Sequence, residues 1–171
     1  MISIIDPQPS VSTAKSTATS TVPFRILSRA ITGNPGDFSL VLVCCNSPGD
    51  RDNIFSLVKE IISAQIDDVN VPSTTRNLLT VIEKSLGRKK PEAVMVRGLE
   101  TVKDINQLII STNLMRDEFR KRFSFPLVLW VNDDILRKLV KLAPDLKDWA
   151  AVTIRFDQGA NQLVAPRVMS A

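Results

Sequence analysis

The sequence predicts an α/β protein, a three-layer α/β/α domain built on a mostly parallel sheet of about five strands. Three observations carry this. The runs Ser39–Cys45 and Pro126–Val131 are almost continuously apolar, as strands covered on both faces must be. Amphipathic segments with a helical repeat alternate with these and with weaker strand-like runs. The loops between them are short, which implies right-handed crossovers and helices on both faces of the sheet.

Residues 1–22 are rich in Ser and Thr without a sustained period and read as a disordered leader. A single domain is expected over 23–157, followed by a C-terminal tail over 158–171. Phe24, Leu27 and Ile31 repeat at helical spacing before Gly33, and 34–37 is a turn by composition. After the first strand, Ile54, Leu57, Val58, Ile61 and Ile62 line one face of a helix starting near Arg51, with Asp50 as its N-cap. Residues 66–71 form a short, more polar strand suited to a sheet edge, ended by Pro72. Residues 73–75 open a helix with Leu78, Leu79, Ile82 and Leu86 inward, which Gly87 stops. Ala93–Arg97 is the third strand. Thr101 with Asp104 has the look of a capping box and opens the longest helix, packed through Val102, Ile105, Leu108, Ile109 and Phe119. Pro126–Val131 is the fourth strand, and Asn132, Asp133 and Asp134 cap a helix with Leu136, Leu139 and Val140 inward. Pro144 ends that helix, and 152–156 is a fifth, weaker strand.

A chain of 171 residues is long enough for one domain with a core that needs no metal or disulfide. The longest apolar runs are strand-sized, so no membrane span is expected, and no secretory signal opens the chain. Cys44 and Cys45 are adjacent in a strand, point to opposite faces and have no third cysteine to pair with, which fits a reducing cytoplasm. The absence of histidine removes Ser-His and Cys-His catalysis and the commonest zinc sites.

The loop Asn46-Ser-Pro-Gly-Asp-Arg-Asp52 stands where a P-loop nucleotide-binding domain holds its phosphates. A Walker loop needs glycines to wrap backbone N–H groups around phosphate, a lysine for the β/γ oxygens and a hydroxyl for magnesium. Here Gly49 lies between Pro48 and Asp50, and no Lys-Ser or Lys-Thr follows. Asp50 and Asp52 place carboxylates at the positive end of the helix dipole. The expectation is therefore a P-loop NTPase-like fold without a functional Walker A loop. Candidate nucleotide contacts are Asn46, Ser47, Gly49, Arg51 and, after the third strand, Glu100.

Glu100, Asp133 and Asp134 could together hold a divalent ion, since hard cations accept carboxylate oxygens. The plainer reading is that they cap helices and offset dipoles. Ser47 has no histidine or evident lysine to act as its base. With no nucleophile–base pair and no Walker lysine, the chain leans away from catalysis, and no cofactor is expected. The formal charge is +4. The clusters Arg88, Lys89, Lys90 and Arg116–Arg122 lie near helix ends, where cations suit the dipole, and no exposed aromatic residues alternate with them.

Phe125-Pro-Leu-Val-Leu-Trp-Val-Asn-Asp-Asp-Ile-Leu136, Leu142-Ala-Pro-Asp-Leu-Lys-Asp-Trp149 and Ile154-Arg-Phe156 resemble the C-terminal part of a module found in cyanobacterial and other bacterial multidomain proteins. The Leu-Val-Cys strand with its loop and the Gly98-Leu-Glu100 turn look similar as well, so the resemblance spans roughly residues 24–156. It implies a P-loop-like sensor, adaptor or assembly module of the kind that precedes tetratricopeptide repeats or occurs in signal-transducing ATPases with numerous domains. Leu146 and Lys147 replace the family's aromatic pair before the final Trp149. The expected function is a non-catalytic adaptor in bacterial signalling or assembly, with a protein partner meeting Pro144, Asp145 and Trp149. A degenerate nucleotide-binding regulatory domain using residues 46–52 is one alternative. Nucleic-acid binding through Arg88, Lys89, Lys90 and Arg116–Arg122 is the other.

Overall fold

The computed structural model describes residues 22–156, so the expected leader and tail lie outside the described residues apart from Val22, which joins the first helix. Five strands form one all-parallel sheet: β1 (Ser39–Cys45), β2 (Ile66–Asn70), β3 (Ala93–Arg97), β4 (Pro126–Val131) and β5 (Ala150–Phe156), in the spatial order β2-β3-β4-β1-β5. Alternation along β1 divides the core. Leu40, Leu42 and Cys44 enter one apolar layer, while Val41, Val43 and Cys45 enter the other. The two thiols are thus on opposite faces and free, as their adjacency requires.

Helices α1 (Val22–Thr32) and α2 (Pro48–Ile61) cover the second layer through Phe24, Leu27, Ile31, Ile54, Phe55 and Val58. The indole of Trp130 is fully buried there, donating to Met95 Sδ at 3.4 Å and meeting Phe55 edge-on at 6.0 Å. The first layer lies under α3 (Leu78–Leu86), α4 (Ile105–Leu114), α5 (Arg116–Arg122), α6 (Asp133–Leu142) and α7 (Pro144–Trp149). This is the three-layer α/β/α arrangement, with β2 at one edge and β5 at the other. Among the described residues, no helix is long and apolar enough to cross a membrane.

Several boundaries differ from the sequence reading, each for a local reason. Helix α2 starts at Pro48 rather than near Arg51; Ser47, not Asp50, is the N-cap, its hydroxyl accepting from the Asp50 N–H at 3.4 Å. Helix α3 begins at Leu78 rather than at 73–75, because Asn77 Oδ1 accepts from the Thr80 N–H at 3.0 Å. The expected long helix after β3 is three pieces. Thr101 does not form a capping box: its hydroxyl donates to the Gly98 carbonyl at 2.7 Å within a 3-10 turn, Leu99–Thr101. A break at Met115 then separates α4 from α5, and Arg116 satisfies the Asn113 carbonyl at the break with a 2.7 Å hydrogen bond. Pro144 does not merely end α6 but occupies the first position of α7. The fifth strand begins at Ala150, two residues earlier than the sequence suggests.

Candidate functional site

In an open α/β sheet, ligands favour the crevice beyond the strands' carboxyl ends at the point where neighbouring connections leave to opposite faces. Here that point lies between β1 and β4. The chain leaves β1 for α2 on one face, and leaves the adjacent β4 for α6 on the other. Only Asn46 and Ser47 separate β1 from α2, and only Asn132 separates β4 from α6.

That crevice is bridged by its own side chains. Asn46 Nδ2 donates to Asp133 Oδ2 at 2.8 Å, and the Asp133 backbone N–H donates to Asn46 Oδ1 at 2.8 Å. Arg155, near the end of β5, donates to Asp133 Oδ1, and the Cys44 thiol donates to the same oxygen at 3.3 Å. The Arg155 guanidinium and the Asn46 amide together hold the Asp133 carboxyl down to about 2. Burial, reinforced by the hydrogen bond to that carboxylate, pushes the Cys44 thiol up to about 12, so the thiol stays protonated and unreactive at neutral pH.

Beside this bridge, α2 presents its first turn to the loop after β3. Arg51 is 5% exposed and its guanidinium donates to Glu100 Oε2 at 2.8 Å. Gly98 makes the approach possible, with φ of 93° and a Cβ position only 2.7 Å from Asn70 Oδ1. A second pair lies alongside: Arg97 reaches Asp52 at 3.1 Å while its guanidinium stacks 3.9 Å from the Phe55 ring. The two pairs line a cleft of ≈ 260 Å³ that holds two cations and two carboxylates, already matched.

The expected site residues therefore separate. Asn46, Ser47 and Gly49 do sit at the sheet's carboxyl edge, but Asn46 is bonded to Asp133 and Ser47 caps α2. Glu100 joins Arg51 instead of offsetting the dipole of a following helix. The three carboxylates considered for a metal do not converge: Glu100 faces Arg51, Asp133 faces Arg155, and Asp134 pairs with Arg137 and Lys138. Among the described residues, no cluster of three metal-ligating side chains occurs. Pro144 and Asp145 stay exposed, with Asp145 3.7 Å from Arg116; Trp149 is half-buried under the Arg120 guanidinium at 4.1 Å. The Arg116–Arg122 cluster is thereby split, since Arg122 turns away to Glu83 at 3.1 Å.

Sequence reasoning missed Arg97, Arg155 and the burial of Arg51. Only the last had a signal. Arg51 precedes Ile54, Phe55 and Val58 by three, four and seven positions, which places it on the buried face of α2.

No family model matches the chain, and no curated protein is similar to it in sequence. Solved structures similar to it include two ORC proteins. One is a chain of Drosophila ORC bound to poly(dA/dT) DNA and Cdc6, with 10% identity and a TM-score of 0.54 over 94% of this chain and 32% of that one. The other is the Aeropyrum pernix ORC2 protein in ADPNP–ADP complexes, with 13% identity and a TM-score of 0.45 over 90% of this chain and 49% of that one. This chain thus spans about a third of the length of the Drosophila protein it matches. With the sheet order described above, the likeness to the first of these makes the fold a P-loop NTPase-like α/β domain.

Proposed function

We propose that this chain is a non-catalytic P-loop-like module that works through macromolecular contact, in an assembly or signalling role, and not by turning over nucleotide. One observation carries the reading: the groups that would receive an anion at the carboxyl edge are already occupied from within. Arg51, the only cation of residues 46–52, is buried against Glu100. The first N–H of α6 is bonded to Asn46. A phosphate entering here would have to displace the Glu100 carboxylate from Arg51 and the Asn46 amide oxygen from the Asp133 N–H, and would find no lysine in return.

Thermal unfolding with and without millimolar ATP or GTP and magnesium tests this. A ligand at 100 times its dissociation constant adds about 2.7 kcal/mol, which shows as a clear rise in melting temperature. The expected result is no shift. A shift that disappears in Arg51→Ala would overturn the reading and make the loop after β1 a working nucleotide site.

A second reading has an observation of its own. Arg88, Lys89 and Lys90 line one groove of ≈ 680 Å³ together with Arg122, at the end of the sheet opposite the carboxyl edge. Two of those cations are engaged, Lys89 with Asp67 at 3.0 Å and Arg122 with Glu83 and Glu118. Duplex DNA binding that falls steeply with salt and is lost in an Arg88→Ala, Lys90→Ala double variant would favour this surface. The Drosophila neighbour, described as bound to both DNA and Cdc6, is a precedent for either kind of partner.

A further inference from the structure

Strands β3, β4 and β1 are neighbours in the sheet, and the segments that lead into them enclose a trough across its amino edge. One hollow of ≈ 680 Å³ lies between residues 88–91, ahead of β3, and residues 123–125, ahead of β4. A second, of ≈ 550 Å³, lies between Phe123 and Ser124 and the turn at 34–39 that leads into β1. The two hollows share Phe123 and Ser124 and so adjoin. With strands about 4.8 Å apart, the trough crosses about 10 Å from β3 to β1, the reach of about three extended residues.

Its charges are of both signs and several stand unpartnered. At one end Arg88 and Lys90 are exposed, and towards the other Arg120 lies over the Trp149 ring at 4.1 Å. None of the three has a carboxylate partner among the described residues, whereas Arg122 is held by Glu83 at 3.1 Å and Lys89 by Asp67 at 3.0 Å. Asp37 is exposed in the second hollow, and its carboxylate has no partner among the described residues either. The carboxyl edge is closed from within by Arg51–Glu100 and Asn46–Asp133; this edge keeps its charges free.

That mixture selects the occupant. A phosphodiester brings only acceptors and negative charge, so it meets Asp37 with repulsion. An unpaired strand also needs aromatic faces for its bases. Here Phe123 and Phe125 stack on each other, with centroids 4.9 Å apart, and are 6% and 7% exposed. An extended peptide can carry carboxylates for the three cations and backbone N–H groups for Asp37. We infer that the trough docks an extended acidic segment of a protein partner, its carboxylates on Arg88, Lys90 and Arg120 and a backbone N–H on Asp37. This rests on the contact-module reading and names the class of partner.

Fluorescence anisotropy on the whole chain at physiological salt tests the inference with three labelled probes. They are an octapeptide alternating Asp and Leu, the same peptide with Lys for Asp, and a short DNA duplex. The acidic peptide should bind, the basic one should not, and the duplex should bind more weakly than the acidic peptide. Arg88→Glu with Lys90→Glu, both at exposed positions, should weaken the acidic peptide about tenfold. Asp37→Lys replaces an acceptor by a phosphate partner, so it should move the preference towards the duplex. No peptide binding at millimolar concentration, binding indifferent to the double substitution, a duplex preferred by the parent chain, or a preference unmoved by Asp37→Lys would each overturn the inference. Nucleotide titration separates the two claims. A nucleotide shift with peptide binding intact removes the non-catalytic reading and leaves the trough, whereas neither shift nor peptide binding removes the trough alone.

Discussion

Arg51 carries the side chain of a surface residue in the setting of a core one, and the asymmetry with its partner makes a prediction. The guanidinium is almost wholly enclosed, whereas the Glu100 side chain is 29% exposed and can turn to water. Glu100→Ala strands a charge that has no other exit and should cost about 2 kcal/mol; Arg51→Met keeps the apolar stem, frees only an accessible carboxylate and should cost about 1 kcal/mol. Urea unfolding of the two variants checks the order, and equal losses would mean that the pair is not what holds this edge. Asp133 gives a pH prediction. Its folded-state carboxyl lies at about 2 against an ordinary 3.8, so its contribution is present above pH 4 and lost as pH falls through 2. Because 42% of the side chain is exposed, solvent screening limits that contribution to about 1 kcal/mol. Asp133→Asn should flatten the stability profile over this interval relative to the parent, measured by urea unfolding at stepped pH. Unchanged curvature would show that the Arg155 contact is weak in solution.

At the scale of elements, the turn after β3 is the part least tolerant of change. Gly98 combines positive φ with backbone and side-chain oxygens closing on its Cβ position, the Val71 carbonyl at 3.0 Å as well as Asn70. Gly98→Ala should therefore cost about 2–3 kcal/mol, more than the left-handed backbone alone, because the β2 and β3 ends must part to admit a methyl group. A drop in urea midpoint no larger than that of Gly36→Ala, where φ is also positive but the space is open, would refute the close-contact account. This turn also marks the limit of what sequence shows. Strands β1, β3 and β4 and the apolar faces of the helices were legible because burial on both faces or on one stripe leaves a periodic trace. The caps at Ser47 and Asn77 were missed, and Asp50 and Thr101 were misassigned, because short polar side chains compete for several nearby backbone groups, and which one wins depends on the tertiary path. The Arg51–Glu100 and Asn46–Asp133 contacts span 49 and 87 residues, and single-sequence periodicity carries no information at that range.

At the scale of the molecule, β1 is shared by two apolar layers of unequal cover, with two helices on one face and five on the other among the described residues. Sequence alternation announced both layers but could not order the strands, and it is the order that puts β1 between β4 and β5. Since every second residue of β1 belongs to each layer, neither can loosen without freeing the strand that the other needs. The two faces should then unfold together. The tryptophans allow this to be read, because Trp130 lies in the layer under α1 and α2 while Trp149 packs against the other. In a Trp149→Phe background, the remaining indole reports only the first of these. Ile82→Val then removes one methylene from the fully buried centre of the opposite layer, a change worth about 1 kcal/mol. The urea midpoint read from Trp130 fluorescence should fall by the full amount and coincide with that from far-UV circular dichroism. A Trp130 transition that stays in place while the dichroism shifts would show the two layers separating, with β1 no longer transmitting strain between them.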